Sequence, residues 1–287
     1  MPLQQLVNHF NDRFAHEHHA GFRPFVVENN LVSGLFGPIR ISSTFSPVRR
    51  ANDNDAVAGH IAQLAVSTHE HHTPGGQDGG LGDFLTDTLT QPVDFQAIIN
   101  LDRLYRTVHM LNYLPYAHLG GVLFLDVDPR HILSVKQNHG VYFEEIIIKC
   151  GLATKNVAIS MTVNSFYALH HGELLEGLHN YRQRGYQIAL NIGPLYSANG
   201  LQDLIAKLAP DYLRANAPSA GDNGLSADIS RPSALTSLKE LQALVGGQTI
   251  LQRVEQKEQA LTPPSGGFDL VQGGYYDKVS VDHLRCL

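Results

Sequence analysis

Short apolar runs of strand length alternate with longer segments of helical period along most of this chain, and that alternation limits the folds open to it. Strand-like runs cover Phe22–Val27, Gly121–Val127, Asn156–Val163, Gln187–Ile192, Tyr212–Asn216, Gln248–Val254 and Phe268–Gln272. Between several of them lie amphipathic stretches, Phe95–Leu114, Leu169–Arg184, Leu201–Leu208 and Ala234–Val245. Leu174, Leu175, Leu178 and Tyr181 carry the spacing of one helix face, and Gly185 stands where a helix stop belongs. Such alternation predicts a parallel sheet built from βαβ units. Seven strand-like runs without a Gly-x-Gly-x-x-Gly fingerprint favour an α/β TIM-like (β/α)8 barrel over a doubly wound open sheet. In a barrel of this kind, function is expected where strand C-termini meet the following loops.

Two regions stand outside the pattern. Residues 1–20 read as an N-terminal helical lead-in to a barrel over residues 21–287, polar and carrying His9, His16, His18 and His19. Residues 43–90, rich in Asn, Asp, Gly, Thr and His, predict a long insertion that is loop except for a short helix near Val57–Val66. There is no internal repeat.

Composition narrows the function. The net charge of −6 argues against a phosphate-driven grip on DNA or RNA, so no direct nucleic-acid binding is expected. Cys150 and Cys286 are the only cysteines, with no Cys-x-x-Cys, which suggests neither a disulfide framework nor a thiolate zinc site. The N-terminus lacks the basic region and apolar core of a signal peptide, and no run approaches the ~20 apolar residues of a membrane span. The apolar runs Gly121–Val127 and Ile146–Ile148 have strand dimensions instead. A soluble protein of the reducing cytoplasm is the expectation.

The last quarter carries the most specific signal. Thr249-Ile-Leu-Gln-Arg-Val-Glu255, then Gln256-Lys-Glu-Gln259, then Gln272-Gly273 resembles the "viAEGVEteeq…QGyyf" close of EAL domains, the cyclic di-GMP phosphodiesterase barrels of bacterial signalling. Further motifs follow in order. Arg23-Pro24-Phe25-Val26 is similar to the family's "Q-P-I-v", and Gly34 to Arg40 falls on "g-y-E-A-L-x-R" with only the flanking Gly and Arg kept. Leu123 to Pro129 resembles "l-s-v-N-l-s-P", and Ile159 to Val163 stands at "L-E-i-T-E". Arg182 to Gly193 resembles "R-x-x-G-x-x-i-a-L-D-D-F-G", and Pro210 to Asn216 echoes the "l-K-i-D" strand. Residues 43–90 fall outside the likeness.

Family members cleave a phosphodiester with divalent ions, Mg or Mn, held by carboxylate and amide oxygens at strand ends. The matching positions here are Phe36, Asp126, Ser160, Asn191, Ile192 and Gln252. Phe36 and Ile192 offer no side-chain oxygen, and Ser160, Asn191 and Gln252 are neutral. A neutral amide cannot act as a general base near pH 7. Asp126 is the one carboxylate gained and Glu255 the one kept, while Arg214 stands at the family's lysine. The resemblance therefore implies a degenerate EAL barrel without a metal cofactor. Arg40, Gln272 and Gly273 match ligand-side positions, since an arginine fork suits a phosphate. An equally open reading gives Arg40 a structural ion pair and Gln272-Gly273 a turn, with Phe36, Pro38 and Ile192 rebuilding the pocket floor.

Other features have bland readings. His16 to His19 and His69 to His72 form compact His/Glu clusters, but neither is His-Glu-x-x-His, and solvated surface is the expectation. His170-His171 opens a helix. Ser160, Asp126 and a histidine lack the Gly-x-Ser-x-Gly elbow of a hydrolytic triad. Val141–Phe143, Ile146–Ile148 and Tyr275-Tyr276 read as packing. The resemblance implies a catalytically inactive signalling protein that acts through another signalling or regulatory protein or as a homodimer, with cyclic di-GMP as an input. The alternative is a phosphodiesterase of residual or altered activity using Asp126, Glu255 and Arg214.

Overall fold

The computed structural model describes residues 3–18, 23–36, 39–68, 95–135, 139–163, 165–192, 198–217, 239–240, 242–243, 245–261 and 267–279. Two compact units emerge, one of Met1–Thr44, Ala62–His118 and Tyr142–Leu152, the other of Phe45–Ile61, Leu119–Val141 and Ala153–Leu287.

The first unit holds α1 (Leu3–His18), β1 (Phe25–Glu28), β2 (Leu31–Phe36), the leading part of β3 (Ile39–Arg50), the trailing part of β4 (Asp53–Thr68), α2 (Phe95–Tyr113) and most of α4 (Val141–Lys149). β1, β2 and β3 pair antiparallel, Phe25 opposite Gly34 and Gly34 opposite Ile41. Gly34 lets β2 approach α2 closely: a Cβ there would lie 2.4 Å from a Leu104 methyl, which would have to shift. Leu6, Val7, Phe10 and Phe14 form the buried stripe of α1, so the lead-in is helical as expected but amphipathic rather than polar. Asn11 accepts from the Phe25 N–H at 2.9 Å and donates to the Phe25 carbonyl at 2.8 Å, satisfying both backbone groups of a β1 residue. α4 buries Tyr142, Phe143, Ile146 and Ile147. Its helical period corrects the strand expectation for Ile146–Ile148: three consecutive isoleucines do not by themselves distinguish strand from buried helix.

The second unit is a closed eight-stranded barrel. Its strands run in the order β3, β10, β9, β8, β7, β6, β5, β4, and a β3–β4 pairing closes the ring. β5 (Val122–Asp126), β6 (Val157–Val163), β7 (Gln187–Ile192), β8 (Tyr212–Asn216) and β9 (Gln248–Gln252) fall where the apolar runs predict, all parallel. β10 is only Leu270–Val271. β3 departs from the all-parallel expectation, pairing antiparallel with β10. Outside the ring lie α3 (Pro129–Ser134), α5 (His171–Gln183), α6 (Ala198–Leu208), α7 (Lys257–Leu261) and α8 (Gly274–Val279). The helix expected over Ala234–Val245 lies largely outside the described residues.

The expectation of a loop with a helix near Val57–Val66 is overturned: residues 53–68 are strand β4. Alanines made the segment look helical, but pairing decides, with Gly59 opposite Val122 and Ile61 opposite Phe124. A Cβ on Gly59 would lie 2.2 Å from the Val122 carbonyl oxygen. Ala51 and Asn52 form the hairpin turn, and the rest of the polar run, Asp53 to Asp55, already belongs to β4. Among the described residues no helix is long and apolar enough to cross a membrane.

Candidate functional site

The barrel interior is layered. Val48, Ile61, Phe124, Ala158, Ala189, Tyr212, Ile250 and Leu270, one residue from each of eight strands, form an apolar floor. Ala158 and Ala189 leave room for Phe124 and Tyr212, whose rings meet edge to face at 4.9 Å. Side chains two residues further along a strand share its face, about 6–7 Å higher. Those positions hold Asp126, Ser160, Asn191, Arg214, Gln252 and Gln272. The sequence therefore places a polar crown directly above an apolar floor, at the strand C-termini.

Register brings the crown together. Asp126 lies opposite Ser160, Asn191 opposite Arg214, and Asn216 opposite Gln252. Arg214, buried at 4% exposure, is the hub. Its Nη1 donates to Asp126 Oδ1 at 2.8 Å and to Ser160 Oγ, and its Nε donates to Gln252 Oε1 at 3.0 Å. With its carbonyl oriented by that bond, Gln252 turns its amide nitrogen to Asn191 Oδ1 and Asn216 Oδ1, both at 2.8 Å. Asn191 in turn donates to Thr162 Oγ1 at 3.1 Å. Hydrogen bonds to a charged group contribute about 1.5–3 kcal/mol each, so this hub is well held. Asn216 and Thr162 fall within the motif stretches Pro210 to Asn216 and Ile159 to Val163 but were not singled out as site residues, although each lies two residues from one on the same strand face.

A hard divalent ion fits this donor set poorly. Asp126 is the crown's one carboxylate, and its Oδ1 already accepts from a guanidinium. The Ser160 and Gln252 oxygens also accept from Arg214. Entry of a doubly charged ion would set like charges side by side and strip a buried cation of its partners, the latter costing about 3–5 kcal/mol. Among the described residues no three His, Cys, Asp or Glu side chains are grouped to hold a metal. The same contacts tie Ser160 and Asp126 to Arg214 rather than to each other. Burial pushes the Cys150 thiol up to about 12, which makes it a poor nucleophile.

The remaining predicted residues make the following contacts. Ile192 is buried on the face of β7 opposite Asn191, so it does not floor the crown. Phe36 ends β2 in the first unit, opposite Ile39, and Pro38 lies outside the described residues. Arg40 forms a two-pronged pair with Glu28, at 2.8 and 3.1 Å, the ion-pair reading of that residue. Gln272 Oε1 accepts from the Arg253 N–H at 3.1 Å, where φ is 59°. Gly273 is confined by the backbone: a Cβ there would lie 2.3 Å from both the N and O atoms of Val254. The exposed Glu255 accepts from the Gly274 N–H at 3.3 Å. Gln259 caps α7 by accepting from the Glu255 and Gln256 N–H groups at 2.8 and 3.0 Å. His170 sits exposed beside Glu173, and residues 69–72 lie outside the described residues.

No protein-family model matches this sequence, and no curated protein sequence does. Solved structures do. BlrP1 of Klebsiella pneumoniae, in complex with calcium and cyclic di-GMP, matches with a TM-score of 0.63 and 15% identity, over 87% of this chain and 57% of that one. A standalone EAL protein of Vibrio cholerae in its cyclic di-GMP-bound form matches with a TM-score of 0.58 and 16% identity, over 82% of this chain and 90% of that one. The FimX EAL domain of Xanthomonas citri in complex with cyclic di-GMP matches with a TM-score of 0.60 and 13% identity, over 95% of this chain and 92% of that one. The fold is the TIM-like barrel of EAL domains. The chain spans 57% of BlrP1 and nearly all of the FimX domain.

Proposed function

We propose that this chain is a catalytically inactive member of the EAL family that works in signalling by binding. Its partner is another signalling or regulatory protein or a second copy of itself, and cyclic di-GMP is the candidate small-molecule input. The observation that carries this reading is the hub at Arg214, which engages the oxygens of Asp126, Ser160 and Gln252. A phosphodiesterase of this architecture needs a metal-activated water at that level of the barrel. Here the level is filled by one guanidinium, one carboxylate already paired with it, and four neutral amide or hydroxyl side chains.

A second line of support comes from the residues that match the family motifs and survive. Gln272, Gly273, Gln259, Arg182 and Gly185 each have a structural task in the barrel. Resemblance has persisted where it holds the walls and lapsed where it would hold metal. The neighbouring structures carry cyclic di-GMP, which nominates that dinucleotide as the ligand to test.

The test is incubation of the chain with cyclic di-GMP and magnesium or manganese, with separation of the linear product. No metal-dependent cleavage is expected. Cleavage that disappears in Asp126→Asn or Glu255→Gln would overturn the reading in favour of an active phosphodiesterase. Calorimetric titration of cyclic di-GMP with and without magnesium then decides the input: equal binding in both supports it, and no binding removes the dinucleotide from the proposal.

A further inference from the structure

We propose that Arg214 is the resident cation of the barrel mouth, a side chain standing in for a divalent ion. This deepens the reading above and rests on the same site, but it concerns what holds that site together rather than what it fails to catalyse. Three oxygens from three different strands converge on one guanidinium: Asp126 Oδ1 from β5, Ser160 Oγ from β6 and Gln252 Oε1 from β9. Convergence of oxygens from several strands on a single positive centre is what a bound cation does. Here the centre is covalently part of β8 and cannot leave.

The arrangement extends beyond the first contacts. By fixing the Gln252 carbonyl inward, the guanidinium turns the Gln252 amide nitrogen toward Asn191 and Asn216. The positive centre thus sets the hydrogen-bond direction of β7, β8 and β9 at once, as a bound ion orients its ligands and their outer partners. Arg214 is buried while Asp126 is 54% exposed, so the cation belongs to the interior and the anion to the rim.

The experiment follows thermal unfolding of the full chain and three variants, with and without millimolar manganese. The wild-type midpoint is expected to ignore manganese. Arg214→Ala is expected to lower the midpoint, and millimolar guanidinium ion at matched ionic strength is expected to restore part of it. In Arg214→Ala/Gln252→Glu manganese is expected to raise the midpoint, because a second carboxylate now faces a mouth without its own cation. A wild-type midpoint that climbs with manganese and stops climbing in Arg214→Ala would overturn the proposal, as would a double variant indifferent to the metal. If the alanine variants do not fold, Gln252→Glu alone decides: a raised midpoint supports a cation at that point, and a lowered one sinks it. Cleavage of cyclic di-GMP would sink the functional reading through a different assay, so the two failures are told apart.

Discussion

Single residues just past the ends of β9 and β10 brace the backbone beside the crown. Gln272 and Gly273 look like ligand-side residues in the sequence, yet Gln272 holds the Arg253 N–H and Gly273 sits where a Cβ would collide with Val254. A glutamine able to contact a nucleotide is equally able to brace a backbone, and the sequence does not distinguish the two. Gly273→Ala should cost about 1–3 kcal/mol from backbone strain, with steric contact added, measurable by urea unfolding; an unchanged midpoint would show that the turn relaxes freely. Arg214 was visible as a retained charge, but its partners follow from register, which no single sequence reports. His60 carries a prediction of its own. Burial and the nearby Arg49 charge lower its pKa below the ordinary 6.5. The folded state therefore binds this proton less readily than the unfolded state, so its contribution is complete above about pH 6.5 and is lost as pH falls through the lower folded value. Stability measured from pH 7 to pH 5 should decline, and the slope should be shallower in His60→Gln.

At the scale of elements, the central strands and the helices α2, α5 and α6 were readable, whereas α4 and the long hairpin were not. α2, α5 and α6 follow apolar spacing that only a helix uses, whereas β4 is alanine-rich and takes its conformation from its neighbours. Arg182 shows how a motif residue can be structural: it donates to the carbonyls of Leu208 and Ala209 at the end of α6. The link between α1 and α4 is electrostatic as well as apolar. Glu145 on α4 meets His9 at 2.9 Å and also pairs with Arg13 and Lys149. Burial pushes its carboxyl upward, but the His9 hydrogen bond and the three positive charges outweigh that and leave its pKa lowered. Its stabilising contribution is present above the ordinary carboxylate range and is lost as pH falls through the depressed value. Glu145→Gln should speed amide exchange across Leu3–His18 by a few-fold at neutral pH, in line with the ~1 kcal/mol or less of a partly exposed pair. Equal exchange in both proteins would mean that the Phe10 and Phe14 stripe alone secures the helix.

At the scale of the molecule, the barrel is an apolar floor beneath a polar crown, and the two layers fail differently. The floor is a packing problem: Phe124→Ala should cost about 3–5 kcal/mol through the cavity it opens beside Tyr212, read as a lower denaturation midpoint at unchanged slope. A loss below about 1 kcal/mol would mean that the layer collapses around the gap. The crown is instead a problem of coupled charges, and coupling makes the order of substitutions matter. While Arg214 remains, a new carboxylate at Gln252 becomes its ion-pair partner and binds the arginine more firmly in place. Once Arg214 is gone, the same carboxylate repels Asp126 until a metal arrives. For a metal to seat between Asp126 and a carboxylate at position 252, the order is therefore fixed: the arginine is lost first, and the second carboxylate comes after it.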